Sequence, residues 1–259
     1  MENKTLEKFR NGEKTLGTFT HLGTVNALEA LGYTGLDYVF IDMEHSPLDT
    51  EGAELRIKAA LHAGLTPFVR VFEQQRTPIL KVLDAGAQGV MVPMIKSVDE
   101  AKQLVEYAKF TPLGARGLCP TYDGGWGFAE NMQGSFEEYM RSRNEETMLI
   151  LQCETLEALE HIDEIAAVEG VDSIFVGPLD LSNAMGIPGQ YTDPGFTDAL
   201  KRVAAACADH GKMSIMNGGG IEDTLKYFNM GYDSIAIGLD TIIYINAYRT
   251  LVDGVKEKL

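Results

Sequence analysis

The sequence predicts a (β/α)8 barrel, and three observations lead to this fold class. Short apolar runs rich in Val, Ile and Phe alternate with longer segments of helical period, which is the pattern of repeated βα units. Eight such runs fit into 259 residues, and α/β barrels commonly form one domain at this length. Because the runs are apolar throughout, we expect strands that are buried on both faces of a parallel sheet covered by helices.

The eight predicted strands follow one another along the chain. They are 16–22 (LGTFTHL), 38–44 (YVFIDME), 67–71 (PFVRV), 89–95 (GVMVPMI), 148–154 (MLILQCE), 173–178 (SIFVGP), 212–218 (KMSIMNG) and 234–240 (SIAIGLD). The segments between them have helical period, for example EGAELRIKAALHAG and SVDEAKQLVEYAKF. Helix ends are marked as well, since Ser97 and Glu100 form a capping-box pattern and Gly64 and Gly86 occur where helices usually end.

A doubly wound open sheet is the alternative fold, but no GxGxxG turn follows the first strand. We therefore expect a single barrel domain over residues 1–259. One connection, residues 111–147 between the fourth and fifth strands, is far longer than usual and contains Trp126. We expect it to be a functional cover or a partner contact, with a helical tail at SFEEYMRSRNEE.

Composition excludes several classes of function. Lys and Arg number 22 against 38 Asp and Glu, and the net charge of −16 would repel nucleic acid and anionic lipid. Three widely spaced cysteines without a CxxC pattern argue against disulfides and thiolate zinc sites. No apolar run is long enough to span a bilayer. We expect a soluble, cytoplasmic protein that acts on small molecules.

In a (β/α)8 barrel the active site lies at the carboxyl ends of the strands, so the polar residues that close the strands are candidates. They are Asp42, Glu44 and His45 for the second strand, Arg70 for the third, Gln152 and Glu154 for the fifth, Asp180 for the sixth and Asn217 for the seventh.

Glu154 and Asp180 close neighbouring predicted strands, where their carboxylates could share a cation. Two oxygen ligands without His or Cys suit Mg²⁺ or Mn²⁺. The alternative is that each carboxylate only caps the helix that follows.

Arg70 and His45 complete the candidate site. An arginine within so apolar a strand must find an anion there, either a substrate carboxylate or a salt bridge to Asp42 or Glu44. His45 is a candidate base, since its ordinary pKa lies near neutrality, and Asp42, Glu44 or Asp84 could orient its ring. The alternative for His45 is a surface residue in a turn.

Two further patterns bear on mechanism. No lysine lies inside a predicted strand, so Schiff-base catalysis has no obvious nucleophile. The NGGG turn, Asn217 to Gly220, could cradle a phosphate, although a glycine run is more often a tight turn.

Several of these motifs occur together in one order. IDMEHSPLD, PFVRV, LDAGAQGVMVPMIKSVDEA, GARG, LQCETLEAL, VEGVDSIFVGPLDLSNAMG and IAIGLD resemble the HpcH/HpaI family of class II, metal-dependent aldolases, from about residue 15 to the C-terminus. The resemblance implies a pyruvate-binding (β/α)8 barrel that reversibly cleaves a 4-hydroxy-2-oxo acid to pyruvate and an aldehyde. It also implies a divalent cofactor (Mg, Mn or Co).

The resemblance assigns roles to single residues. It places the metal ligands at Glu154 and Asp180, the acid–base histidine at His45, the arginine that steadies the enolate at Arg70 and the acid that raises the basicity of the histidine at Asp84. Substrate contacts fall on Gln152, Gly177, Leu179 and Asp180. The family commonly has Ala at the position of Leu179, so a narrower pocket is expected here.

The resemblance further implies a homo-oligomer, a hexamer built from dimers that exchange their last helices. Other enzymes with the same enolate chemistry remain alternatives, namely a 2-oxo acid decarboxylase or an acyl-CoA lyase. A non-catalytic barrel that binds a small anion is the alternative from another class of protein.

Overall fold

A computed structural model describes residues 2–259, except for the side chain of Asn131, and contains a closed barrel of eight parallel strands. The strands are β1 (Thr15–Thr20), β2 (Tyr38–Asp42), β3 (Thr66–Arg70), β4 (Gly89–Val92), β5 (Met148–Cys153), β6 (Ser173–Val176), β7 (Met213–Gly218) and β8 (Ser234–Leu239). Each strand pairs with the next, and β8 pairs with β1. The predicted fold is confirmed, and the open sheet is excluded.

Thirteen helices accompany the strands of the described chain. They are α1 (Lys4–Arg10), α2 (Val25–Leu31), α3 (Thr50–His62), α4 (Arg76–Asp84), α5 (Val98–Ala108), α6 (Glu130–Gln133), α7 (Phe136–Glu146), α8 (Leu156–Glu160), α9 (Ile162–Ala166), α10 (Pro178–Ala184), α11 (Pro194–Asp209), α12 (Ile221–Asn229) and α13 (Asp240–Lys256).

The predicted helix ends are present. The Ser97 hydroxyl accepts a bond from the Glu100 N–H (3.2 Å), whereas the Glu100 carboxylate accepts from the N–H of Lys96 (2.7 Å). Gly64 and Gly86 have φ of 79° and 99°, a left-handed conformation that costs glycine little.

The strand β4 ends three residues earlier than predicted. Pro93 has no N–H to donate to a ladder, and Met94 has φ of +58°, so the chain leaves the sheet at Val92. This turn bears on the site described below.

The barrel interior is packed by aromatic side chains. Phe19, Phe40 and Phe175 contact one another, with ring centroids 4.8 to 5.6 Å apart, and Tyr38 and Phe68 pack against Phe40. A second apolar layer lies between the strands and the outer helices. The interior is therefore filled, which leaves no room for a small molecule inside the barrel itself.

The long connection between α5 and β5 lies at the amino-terminal ends of the strands, because α5 runs back from the carboxyl end of β4. It contains a 3₁₀ turn (Tyr122–Gly127), α6 and α7, which confirms the predicted helical tail. The buried carboxylate of Asp123 holds it in place by ion pairs with Arg116 (3.3 Å) and Arg143 (3.0 Å). The connection does not cover the carboxyl end of its own barrel.

The last helix, α13, carries an exposed apolar surface. Of its 17 residues only Asp240 is buried. Its large apolar side chains are about half exposed or more: Ile242, Ile243, Tyr244, Ile245, Tyr248, Leu251, Val252 and Val255. Among the described residues, no helix is long and apolar enough to cross a membrane.

Candidate active site

A cavity of about 500 Å³ opens at the carboxyl ends of the strands. Its wall includes five of the residues predicted from the strand ends, namely His45, Arg70, Gln152, Asp180 and Asn217, together with Gly177 and Leu179, which the resemblance assigns to substrate contacts. The barrel thus brings together residues that are up to 172 positions apart in sequence, counted from His45 to Asn217.

Asp42 is the centre of the hydrogen-bond network at one side of the cavity. Its fully buried carboxylate accepts two bonds from Arg70, through Nε (2.9 Å) and Nη2 (2.7 Å). It also accepts from His21 Nε2 (2.6 Å) and from the backbone N–H of Glu44 (3.0 Å). Burial alone would raise the pKa of Asp42, but the bonds and the charge of Arg70 outweigh it and hold the pKa at about 2.

Arg70 is consequently oriented before any substrate arrives. Besides Asp42, its Nη1 lies 3.2 Å from Glu44 Oε2, and its guanidinium lies over the ring of Phe19, 4.8 Å from the centroid. This is the salt-bridge alternative that the sequence left open beside a substrate carboxylate. Because Arg70 still lines the cavity, a ligand anion can bind its guanidinium while the hydrogen bonds to Asp42 hold that group in position.

Glu154 follows the end of β5 as predicted, whereas Asp180 lies in the first turn of α10, four residues after the end of the adjacent β6. Asp180 lines the cavity, and Glu154 packs against two other wall residues, Gln152 and Gly177. Glu154 is 3% exposed, and its Oε1 accepts the N–H of Met94 (2.8 Å). Burial is the main cause that raises the pKa of Glu154 to about 7, and the nearby charges of Asp180 and Glu44 add to it. Three carboxylates therefore lie within electrostatic reach of one another.

The backbone around Glu154 leaves room for its carboxylate. A Cβ on Gly177 would lie 2.6 Å from Glu154 Oε2 and 2.9 Å from Gln152 Nε2, so a larger residue would collide with both. Gln152 Nε2 donates to Glu154 Oε2, while Gln152 Oε1 is buried without a protein partner. Met94 adopts its left-handed φ at the point where its N–H reaches Glu154.

His45 lies at the mouth of the cavity. Its side chain is 61% exposed, and its Nε2 is 3.8 Å from Glu44 Oε2. Asp42 contacts His45 only through the backbone N–H (3.4 Å), because its carboxylate is bound to Arg70 and His21. Among the candidate acids, Glu44 is therefore the one whose carboxylate approaches the His45 ring.

Asp84 lies elsewhere. It is the last residue of α4, which leads back to the amino-terminal end of β4, and its carboxylate pairs with Arg116 (2.9 Å). Within one chain Asp84 and His45 are consequently at opposite ends of the barrel. The role that the resemblance gives to Asp84 would require the Asp84 of another copy.

Two site residues were missing from the predicted set. His21 closes β1 and lines the cavity, and Asp240 begins α13 and accepts the backbone N–H of His21 (2.8 Å) and of Leu22. Both were visible as the polar residues that close LGTFTHL and SIAIGLD.

The NGGG turn lines the cavity but is not suited to phosphate. The first turn of α12 contains Glu222 and Asp223, and Asp223 also lines the cavity. The two carboxylates offset the positive potential at the N-terminus of α12, which would otherwise attract a phosphate.

The residues present fit a divalent cation. Among the side chains that the structure describes, no three His, Cys, Asp or Glu form a ready-made metal cage. A hard octahedral cation needs only one or two protein carboxylates and takes its other ligands from water and substrate. The buried Glu154 carboxylate lies within electrostatic reach of Asp180 and Glu44, and a cation beside these three carboxylates would offset their mutual repulsion.

Comparison with known proteins identifies the family. The model of the HpcH/HpaI aldolase/citrate lyase family matches residues 15–247. A hydroxypyruvate/pyruvate aldolase from Pseudomonas aeruginosa is 32% identical over 261 residues, covering 98% of this chain and 93% of that protein.

Solved structures give the same result. An HpcH/HpaI aldolase/citrate lyase family protein from Burkholderia cenocepacia J2315 has a TM-score of 0.90 and 30% identity, covering 98% of this chain and 99% of that one. The citrate synthase SbnG has a TM-score of 0.87 and 30% identity, covering 97% of both chains. The barrel, the strand-end site and these matches together show that the chain belongs to the HpcH/HpaI aldolase/citrate lyase family and is a carbon–carbon lyase.

Proposed function

We propose that the enzyme is a divalent-metal-dependent aldolase that reversibly cleaves a 4-hydroxy-2-oxo acid to pyruvate and an aldehyde. The observation that carries this proposal is the placement of Arg70 and Asp180 in the wall of one cavity, with Glu154 directly behind Gln152 and Gly177. A 2-oxo acid offers an anionic carboxylate and a keto oxygen, which this pair of sites can hold together.

Arg70 stabilises the negative charge that develops in the reaction. When the C3–C4 bond of the substrate breaks, its electron pair passes to C3 and the adjacent keto group, which becomes an enolate. A guanidinium that is already fixed by Asp42 loses little entropy in binding this charge, and such prearranged donors are worth several kcal/mol in a transition state, about 3 for one donor.

His45 takes the proton of the C4 hydroxyl during cleavage and returns it during addition. The imidazole is exposed at the cavity mouth and lies near Glu44, so it can reach a substrate hydroxyl and exchange protons with solvent. The enolate then accepts a proton at C3 to give pyruvate, which balances the reaction.

Glu154 and Asp180 would hold the cation, which we propose to be Mg²⁺, Mn²⁺ or Co²⁺. Bound there, it supplies a Lewis acid that stabilises the enolate oxygen. Gln152 and the backbone at Leu179 position the 2-oxo acid, and the exposed Leu179 side chain narrows the entrance.

The test is pyruvate release from a panel of 4-hydroxy-2-oxo acids, with His45→Gln and a matched control. Loss of a general base costs roughly 10²–10⁴ in rate, whereas His62→Gln, on the exposed side of α3, should retain wild-type turnover. EDTA should abolish pyruvate release, and Mg²⁺, Mn²⁺ or Co²⁺ should restore it. No pyruvate from any acid of the panel would contradict the proposal.

A citrate-synthase-type condensation is the second candidate, because SbnG matches almost the whole chain at 30% identity. It predicts release of free thiol from acetyl-CoA in the presence of oxaloacetate. The aldolase proposal predicts none.

We also propose that the enzyme acts as a homo-oligomer, with a hexamer of three dimers as the expected form. The exposed apolar surface of α13 favours packing against a second copy, and the distance of Asp84 from His45 within one chain favours a site completed by a neighbour. Mixed oligomers test this: His45→Gln and Asp84→Asn subunits, each impaired alone, should regain partial activity together. A monomer in sedimentation would exclude it.

A further inference from the structure

The cavity has a second half, away from Glu154 and Arg70. It is formed by the turn after β7 and the first turn of α12, by Gly238 in β8 and by Asn246 in α13. If the 2-oxo acid occupies the side of Arg70, the aldehyde portion of the substrate extends into this half.

The charge of this second half is negative. None of the described residues that line the cavity is a lysine, and its one arginine, Arg70, is already paired with Asp42 and Glu44. Asp223 lies in the wall of this half. Its carboxylate is close to the turn after β7, since a Cβ on Gly219 would lie 2.9 Å from Asp223 Oδ2. Burial and the charge of Asp223 together raise the pKa of Tyr227, another wall residue, to about 12.

This half also offers hydrogen-bond acceptors that lack donors. Asn217 Oδ1 is buried and has no partner among the described residues, and the exposed carboxylate of Asp223 can accept further bonds. Buried acceptors without a donor are costly and are normally satisfied by a ligand or water. A ligand with hydroxyl groups would supply the donors, whereas a ligand with a carboxylate, sulfonate or phosphate would add negative charge.

We propose, on the basis of the aldolase function above, that the aldehyde partner is an uncharged, hydroxyl-bearing aldehyde and that Asp223 and Asn217 select it against anionic aldehydes. In the synthetic direction, pyruvate loses a C3 proton, its C3 bonds to the aldehyde carbon, and the aldehyde oxygen gains a proton. The hydroxyl group on the carbon next to the aldehyde carbon donates a hydrogen bond to Asn217 or Asp223.

The experiment compares three aldehydes of the same chain length in addition to pyruvate. Glyceraldehyde and 2-hydroxy-3-oxopropanoate differ only in a hydroxymethyl or a carboxylate group, and propanal lacks hydroxyls. We expect kcat/KM for glyceraldehyde to exceed that of each of the others on the order of tenfold, the scale of one charge pair or one lost hydrogen bond. Equal or higher values for the carboxylate or for propanal would overturn the inference.

A pair of variants identifies the residue responsible. Asp223→Asn should raise kcat/KM for 2-hydroxy-3-oxopropanoate several-fold relative to glyceraldehyde, because it removes one repulsive charge. Asp198→Asn makes the same change on the exposed surface of α11, where the side chain is 78% exposed, and should leave the ratio unchanged. An unchanged ratio in Asp223→Asn would remove Asp223 from the role.

Exchange of the pyruvate C3 protons with deuterium, measured without aldehyde, tests the aldolase function separately from the preference for an uncharged aldehyde. Absence of exchange would overturn the aldolase function and this inference together. Normal exchange combined with a preference for the anionic aldehyde would overturn only the inference about the aldehyde.

Discussion

Replacement of Glu154 by glutamine should stabilise the metal-free enzyme at alkaline pH. The pKa of Glu154 rises in the folded chain from an ordinary 4.5 to about 7, so the native state binds this proton more tightly than the unfolded chain does. Stability is therefore highest below pH 4.5, falls as the pH rises through 7, and stays low above it. Each pH unit between the two pKa values corresponds to about 1.4 kcal/mol, so the ionised carboxylate costs about 3 kcal/mol at pH 8.5.

Glutamine should remove this cost without breaking the local contacts. Its oxygen can accept the Met94 N–H, and the Gln152 amide can turn over so that its unpartnered Oε1 receives the new NH₂ group. For a chain of this size, about 3 kcal/mol corresponds to roughly 6–12 °C in the unfolding midpoint. The variant should nevertheless lose activity, because a stabilised site that cannot hold the cation is not functional.

The assay is thermal unfolding in EDTA at pH 5.5 and 8.5, at one protein concentration. The midpoint of the wild type should fall between these pH values more than that of Glu154→Gln, and added Mn²⁺ at pH 8.5 should raise only the wild-type midpoint. Glu160→Gln, at the exposed end of α8, is the matched control and should follow the wild type. Parallel pH curves for Glu154→Gln and wild type would refute this account of the carboxylate.

Three further outcomes follow from the site. Arg70→Lys should lower kcat/KM for pyruvate formation at least about 10²-fold, because lysine cannot form the bidentate hydrogen bonds to Asp42 that orient Arg70. Near-normal steady-state kinetics would contradict the role of Arg70 in stabilising the enolate. Asp42→Asn should cost up to about 3–5 kcal/mol of unfolding free energy, because it removes the anion that accepts two bonds from the buried guanidinium and leaves Glu44 as the carboxylate beside it; urea titration at pH 7 measures this. Gly177→Ala should abolish activity through its collision beside Glu154, whereas Gly254→Ala, where a Cβ meets nothing within 4 Å, should be active.

Much of the fold could be predicted from the sequence, because parallel strands buried on both faces leave continuous apolar runs. The observed strand starts lie within one residue of the prediction for every strand. Strand ends were less predictable, as β4 illustrates. The left-handed Met94 has no sequence signal, because methionine does not favour positive φ, and the N–H of Met94 bonds to Glu154, which is 60 residues away in the sequence.

The site was predictable in part. Residues that follow consecutive strands, such as Glu154 after β5 and Asp180 after β6, could be paired from chain order alone, although Asp180 lies in the first turn of α10 rather than at the strand end. His21 and Asp240 are 219 residues apart and meet only because β8 closes on β1. Asp84 illustrates a different limit, because the resemblance assigns it a role beside His45, whereas within one chain it ends α4 and pairs with Arg116 at the other end of the barrel.

The helix α13 has a consequence for kinetics. Ile242, Ile243 and Asn246 form part of the cavity wall, while other residues of the same helix carry the exposed apolar surface. If the proposed oligomer packs through this surface, one helix serves both the subunit interface and the substrate pocket, and dissociation on dilution should alter specific activity before it alters secondary structure. Enzyme concentration then becomes a variable of the aldehyde specificity itself.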